Sequence, residues 1–279
     1  MEVKITTLAE NTANMGFLAE WGLSMLVEAD GKKILFDTGM GNAVVYNARL
    51  LGIDLSAVDK IVISHGHHDH TGGLREVLNE IRKKIEIIAH PDIWAAKYGR
   101  FGKNPAHFAG IPFQRELLEN LGAGFKLTAE PARITDRIMT LGEIPMLTDY
   151  EKIDNGLLDK QGGEMLPDEL RDDLAMVIDT DYGLVVILGC SHRGIVNTLK
   201  QAQKVTGKEL IYAAIGGTHL LNADKERLQK TAADLKEMGV QYLGASHCTG
   251  FKAATYLAQE FGDRFFVNNS GSRWTLPFG

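Results

Sequence analysis

Cysteine is scarce in this chain, with two residues in 279. So few cannot form a disulfide framework, and a reducing cytoplasm is the expected setting. Long apolar runs are missing too: no stretch approaches the roughly 20 residues that a bilayer span needs. The opening residues, Met1-Glu-Val-Lys-Ile-Thr, lack the apolar core of a secretory signal. Positive charge is also in deficit. Thirty Lys and Arg against 36 Asp and Glu leave a net charge of −6, which is no footprint for bulk nucleic acid or an anionic membrane. Low-complexity segments and short-period repeats are absent. What is present is ordinary for a globular protein, 44% hydrophobic and 24% charged. The length suits one large domain or two modest ones.

Against that background the histidines are unevenly spread. The chain has nine, and four of them fall in His65-Gly66-His67-His68-Asp69-His70. A β-branched run at 60–64 precedes this stretch and reads as a buried strand. Gly72-Gly73 follows and opens an amphipathic helix over 73–83, with Leu74, Val77, Leu78 and Ile81 on one face. Burying so many titratable groups without partners would cost roughly 1–3 kcal/mol for each unsatisfied group. One or two divalent cations would supply the partners. Imidazole nitrogen with carboxylate oxygen suits zinc, iron or manganese. The plain alternative is a solvated polar turn, and the density of imidazoles in six positions argues against it.

The rest of the chain alternates strands and helices in a layered α/β pattern. Strands are predicted at 3–8, 24–28, 33–37, 85–89, 175–179, 183–188, 210–215, 242–245 and 265–268. Helices are predicted at 42–51, 113–120, 195–204, 223–238 and 252–261. The loop 10–22, ending in Trp21-Gly22, is too long for a plain connection and so reads as functional or mobile. Residues 91–136 break the rhythm with glycines, prolines and aromatics (Trp94, Tyr98, Phe101, His107, Phe108, Phe113). This insert and a second at 148–168 read either as a lid or substrate wall or as a surface excursion packed on the core. Lys97, Arg100, Lys103 and Arg115 give the first insert a local basic character. Four strands run into polar clusters, at His65, Cys190, His219 and His247. In layered α/β folds, ligand sites assemble at such carboxyl ends.

The motif His65-x-His67-x-Asp69-His70 after a strand resembles the signature of the metallo-β-lactamase superfamily, and the likeness extends over most of the chain. It implies a single domain, 1–279, folded as a four-layer αββα sandwich with a binuclear metal site at one edge of two sheets. By that likeness His65 and His67 would bind one metal, and Asp69, His70 and His247 the other. Two departures stand out. The usual third histidine before strand 175–179 is missing, and Asp172 and Asp173 are the nearest polar residues. Cys190 stands where a bridging aspartate is usual, with His192 two positions on. Either Cys190 gives a thiolate, which favours zinc, or it is an inert buried residue and His192 alone ligates. His68 is expected to point away.

The combination Gly189-Cys-Ser-His-Arg-Gly194, Ile215-Gly-Gly-Thr-His219 and Ser246-His-Cys-Thr-Gly250 resembles a narrower branch. That branch includes the archaeal 7,8-dihydropterin-6-methyl-4-(β-D-ribofuranosyl)aminobenzene 5'-phosphate synthases. Three functions follow as expectations. The leading one is a metal-dependent hydrolase of a small phosphorylated or otherwise anionic metabolite, working by metal-activated hydroxide. Asp69 would orient the nucleophile or take its proton, and His219 would bind an anionic group or protonate the leaving group. The second is a pterin transferase that displaces pyrophosphate, and the third a sensor that binds without turnover. No nucleic-acid or membrane partner is expected, and the aromatic insert suits a homodimer contact as readily as a lid.

Overall fold

The computed structural model describes residues 1–100 and 102–278; Phe101, named among the insert's aromatics, lies outside them. The chain begins with three antiparallel strands, β1 (Val3–Ala9), β2 (Ser24–Ala29) and β3 (Lys32–Phe36). After helix α1 (Ala43–Leu50) comes β4 (Lys60–Val62), shorter than the run at 60–64 suggests because the backbone leaves the ladder to form the histidine turn. The one-turn helix α2 (His68–Thr71) leads to α3 (Leu74–Ile81) and β5 (Ile85–Ala89). β6 (Lys97–Gly99) and β7 (His107–Phe108) are followed by α4 (Arg115–Asn120), β8 (Ala123–Leu127) and β9 (Ile138–Thr140). The second half holds β10 (Leu157–Gln161), β11 (Glu164–Pro167), β12 (Ala175–Thr180), β13 (Gly183–Leu188), α5 (Ile195–Thr206), β14 (Ile211–Gly217), α6 (Lys225–Glu237), β15 (Tyr242–Ser246), α7 (Phe251–Phe261) and β16 (Arg273–Thr275).

These strands form a seven-stranded sheet in the order β16-β1-β2-β3-β4-β5-β8, a five-stranded sheet β15-β14-β13-β12-β9, and a small sheet β11-β10-β6-β7. The two large sheets stack face to face. Period-2 alternation shows how: in β13, Val185 and Ile187 point into the layer between the sheets, beside Ile34, Phe36 and Met176. Leu184, Val186 and Leu188 point the other way, under α5, α6 and α7. On the first sheet Leu35 and Ile61 pack under α1 and α3. The order is helix, sheet, sheet, helix, so these strands are buried on both faces and read as continuous apolar runs. Each fully buried Leu, Ile or Phe contributes roughly 1.5–3 kcal/mol.

Two segments differ from the sequence reading. Residues 265–268 form no strand; the chain-closing strand is β16, which pairs antiparallel with β1. Residues 148–168 are not wholly irregular, because β10 and β11 pair across Gly162-Gly163 and β10 also pairs with β6. β6, β7, β10 and β11 therefore share one sheet. No helix among the described residues is long and apolar enough to cross a membrane.

Candidate metal centre

β3, β4 and β5 are mutually parallel, as are β13, β14 and β15. Their carboxyl ends open on the same edge of the two sheets, where the polar loops meet. Asp37, just past β3, organises the first half. One carboxylate oxygen accepts from Ser64 N (2.7 Å), and the other accepts from Ser64 Oγ (2.7 Å) and His70 Nδ1 (2.6 Å). With its proton committed to Asp37, the Ser64 hydroxyl accepts from His65 Nδ1 (2.9 Å). Across the cavity His247 Nδ1 donates to Asn11 Oδ1 (2.9 Å), and His247 N donates to Glu10 Oε1 (2.7 Å).

These outer partners settle which ring nitrogens carry hydrogen. His65, His70 and His247 each spend Nδ1–H outward and turn an Nε2 lone pair inward. His70 Nε2 lies 3.2 Å from His247 Nε2 and 3.2 Å from Cys190 Sγ. His65 Nε2 lies 3.1 Å from His192 Nε2 and 2.9 Å from His67 Nδ1. Two lone pairs facing each other at such distances can share only a proton or a metal ion. His67 Nε2 and His192 Nδ1 are buried without a partner. Three sets of side chains, each with its donor atoms within 4.8 Å of one another, could hold an ion: His65, Cys190 and His192; His70, Cys190 and His247; His65, His67 and Asp69. The donors therefore fit divalent metal.

The electrostatics agree. Burial first, then the neighbouring imidazoles, holds His65 and His192 well below the ordinary value, and burial brings His67 to about 3. All three are neutral at pH 7, as ligation requires. Burial opposes a charge on His70 as well, but the Asp37 and Asp69 carboxylates outweigh it and raise its pKa. Burial would raise the Asp69 carboxyl, yet His70 and His247 hold it below the usual range. Burial pushes the Cys190 thiol up, so a thiolate there needs a cation beside it. Strain gathers at the same edge. Asp37, Ser191, His219 and His247 are four of the seven non-glycine residues with positive φ among the described residues, each costing about 1–3 kcal/mol and held by its surroundings. Gly189 permits the close approach of the two halves: a β-carbon there would collide with Ser64 Oγ.

All seven predicted ligands, His65, His67, Asp69, His70, Cys190, His192 and His247, converge here. Cys190 and His192 both reach the cluster, and Cys190 Sγ belongs to two of the three sets. Asp69 falls in a set with His65 and His67, while its Oδ2 is also 3.3 Å from His247 Nε2; it stands between the two halves. His219 lines the cavity with its ring 4.1 Å from that of His192. Burial, then Arg227, lowers its pKa to about 4. His68 lines the cavity and belongs to none of the three donor sets.

The basic insert residues do not surround the cavity. Lys97 is 1% exposed and paired with Asp168 and Asp172, and Arg115 pairs with Glu119 on the surface. Asp37, Glu10, Asn11 and Ser64 escaped the sequence reading as site residues. The strand ending in Asp37-Thr38-Gly39 and the overlong loop 10–22 were the available signals.

The cavity is about 230 Å³ and is walled by Trp21, Met40, Phe108, Leu157 and Leu221. A four-layer sandwich with such a donor cluster at the carboxyl edge defines a class of proteins built to hold metal between two sheets. The sequence model of the Metallo-beta-lactamase superfamily matches residues 22–191, and the chain belongs to that superfamily. It is 39% identical to the 7,8-dihydropterin-6-methyl-4-(beta-D-ribofuranosyl)-aminobenzene-5'-phosphate synthase of Methanocaldococcus jannaschii, covering 94% of this chain and 93% of that one. Among solved structures it resembles Tm1679, a metal-dependent hydrolase of the beta-lactamase superfamily, with TM-score 0.85, 29% identity and 98% of each chain covered. YhfI from Bacillus subtilis shares the fold, with TM-score 0.59, 15% identity and 98% and 99% coverage.

Proposed function

We propose that the chain is a metal-dependent hydrolase of a small anionic metabolite that carries a flat ring. One observation carries this reading: inward lone pairs converge on the floor of a cavity whose walls are largely aromatic and aliphatic. No lysine or arginine among the described residues lines that cavity, so the anionic part of a substrate has the floor as its cationic partner. His65, His67 and His192 would hold one ion, His70 and His247 the other, with Cys190 and Asp69 between them. Zinc suits a set that contains a thiolate. Bound there, divalent ions polarise a substrate oxygen and acidify water.

The chain's own residues do the rest. Asp69, ionised and beside both half-sites, orients the attacking water and accepts its proton. His219 is neutral at pH 7; an anionic substrate beside it raises its pKa, so that the ring takes up the second proton and gives it to the leaving group. Trp21 and Phe108, each about half exposed, grip the ring from two sides. The inserts form part of this wall through Phe108 and Leu157. A second reading is favoured by the M. jannaschii relative: the same floor holds a departing pyrophosphate, and an arylamine takes the place of water.

Elemental analysis of the purified protein is expected to find about one to two transition-metal ions per chain. Phosphomonoesters, phosphodiesters, lactones and thioesters should then be assayed beside His67→Ala. Turnover of one class by the native protein and none by the variant supports hydrolysis. Pyrophosphate release from a dihydropterin pyrophosphate only when an arylamine is present, with no ester turnover, moves the assignment to transfer. A protein without metal, unchanged by His67→Ala, overturns both.

A further inference from the structure

Asp172 and Asp173 are adjacent and buried, and they hold two loops that meet at one ion site from opposite sheets. Asp172 Oδ2 accepts from Gly66 N (2.8 Å), the amide between His65 and His67. Asp173 Oδ2 accepts from Arg193 N (2.9 Å), the amide that follows His192. Both carboxylates sit just before β12, where the backbone is pinned to the first sheet by Leu174 N donating to Ser64 O (2.9 Å). The distance between the His65–His67 turn and the His192 loop is thus spanned by two consecutive residues of one strand entry.

The same cluster reaches the small sheet. Lys97 of β6 puts its ammonium on Asp172 Oδ1 (2.8 Å) and on Asp168 Oδ2 (2.9 Å). Burial opposes that charge, and the two carboxylates outweigh it and raise its pKa. Lys97 O accepts from Ala109 N (2.9 Å), and Ala109 O accepts from His68 N (2.7 Å). At Gly66 a β-carbon would strike Ile93 O. Residues 66–68 therefore rest in a cradle made by Ile93, Lys97, Ala109 and Asp172.

We infer that Asp172 and Asp173, with Lys97 as their counter-charge, are positioning residues that set the spacing between the His65–His67 turn and the His192 loop, the imidazoles of one ion site, so that capturing metal and seating the small sheet are one coupled event. This rests on the metal reading above and not on the choice between hydrolysis and transfer. By linkage, seating the sheet must tighten metal binding by the same factor that metal tightens the sheet, commonly 5–150-fold.

The test uses the full chain, loaded with zinc or stripped by chelator. Affinity is read by competition with a chromophoric chelator, and seating by tryptic cleavage at the exposed Lys103 and Lys160. In the native protein zinc should slow this cleavage about tenfold, within the range of ordinary coupling. Asp173→Ala should weaken zinc binding about 10–100-fold, the usual effect of removing a group that orients a ligand. Asp173→Asn keeps an acceptor for Arg193 N and should recover most of that loss. Lys97→Met should lower affinity and protection by equal factors. Asp172→Asn is the fallback if Lys97→Met does not fold, with the same result expected. Variants that are less heat-stable yet bind zinc with native affinity would show a merely structural cluster and overturn the inference. So would equal losses for Asp173→Ala and Asp173→Asn, or lost affinity with undiminished protection. A native protein that binds no zinc overturns the metal reading as well.

Discussion

His70 and His192 face one cavity from opposite sheets, and they are held in unlike ways. His70 belongs to a stretch in which four histidines and an aspartate follow one strand. Its outer nitrogen is fixed by Asp37, which also fixes Ser64 and through it His65. His192 has no such partner: its Nδ1 is buried and unpaired, and only the backbone beside it is anchored, by Asp173. The first half is organised before any ion arrives, because one carboxylate assigns two imidazole tautomers. In the second half only His247 has an outer partner for its ring, Asn11, and His192 has none. Affinity should therefore depend most on the residues behind the first half, and metal preference most on the second.

The largest effect should come from Asp37→Ala. It orphans Ser64 N, Ser64 Oγ and His70 Nδ1, each buried group costing about 1–3 kcal/mol. Denaturant unfolding of the metal-free protein should show this loss, and chelator competition should show affinity down about 10–100-fold. An affinity loss for Asp37→Ala no larger than that for Asp173→Ala would erase the contrast between the halves.

Cys190→Asp should have an intermediate effect and act on selectivity. It places oxygen where sulfur faces His70, so zinc should weaken relative to manganese. Competitive loading with the two metals measures this, and the cobalt-substituted protein should lose its thiolate charge-transfer absorption. An unaltered zinc-to-manganese ratio would show that Cys190 stays out of the coordination sphere.

The smallest effect should lie at the opposite edge. There Asp181, in the turn between β12 and β13, is held at a pKa of about 2 by Arg137 and then by the amino terminus. Its pKa is depressed on folding. Its contribution is thus present above the ordinary value of about 3.8 and lost as pH falls toward 2. Asp181→Asn should lower the melting temperature slightly at pH 7 and not at pH 2. The pair is exposed, so the difference should also shrink in high salt.

Much of this architecture was legible in the chain. The buried strands of both large sheets show as apolar runs, and α3 shows its stripe of Leu74, Val77, Leu78 and Ile81. The donor side chains that meet in the cluster were visible because imidazoles at strand ends have few other uses in such numbers. β10 and β11 were not visible: Asp159, Lys160, Gln161 and Glu164 face solvent, so no apolar alternation betrays the pairing. β16 escaped because it has three residues and an isolated Trp274, while the richer Phe265-Phe266-Val267 drew attention to a segment that makes only a bridge at Phe265. Asp37, Asn11 and Glu10 act by reaching histidines 33, 236 and 237 positions away. A single polar residue in a turn carries no local mark of so distant a partner.

His70 and His247 are 177 positions apart yet face each other at 3.2 Å, and the last strand, β16, closes the first sheet against β1. The donor cluster thus needs segments 177 positions apart to meet, and such distant contacts are slow to form because their loop entropy must be met first. On the ribosome a nascent chain that has not released β15 carries the histidine turn without its counterpart. It can hold an ion only weakly, as loose imidazoles do. Tight uptake should therefore report that synthesis and folding are complete, and zinc supplied during translation should leave the yield of half-made chains unchanged while raising the survival of finished ones.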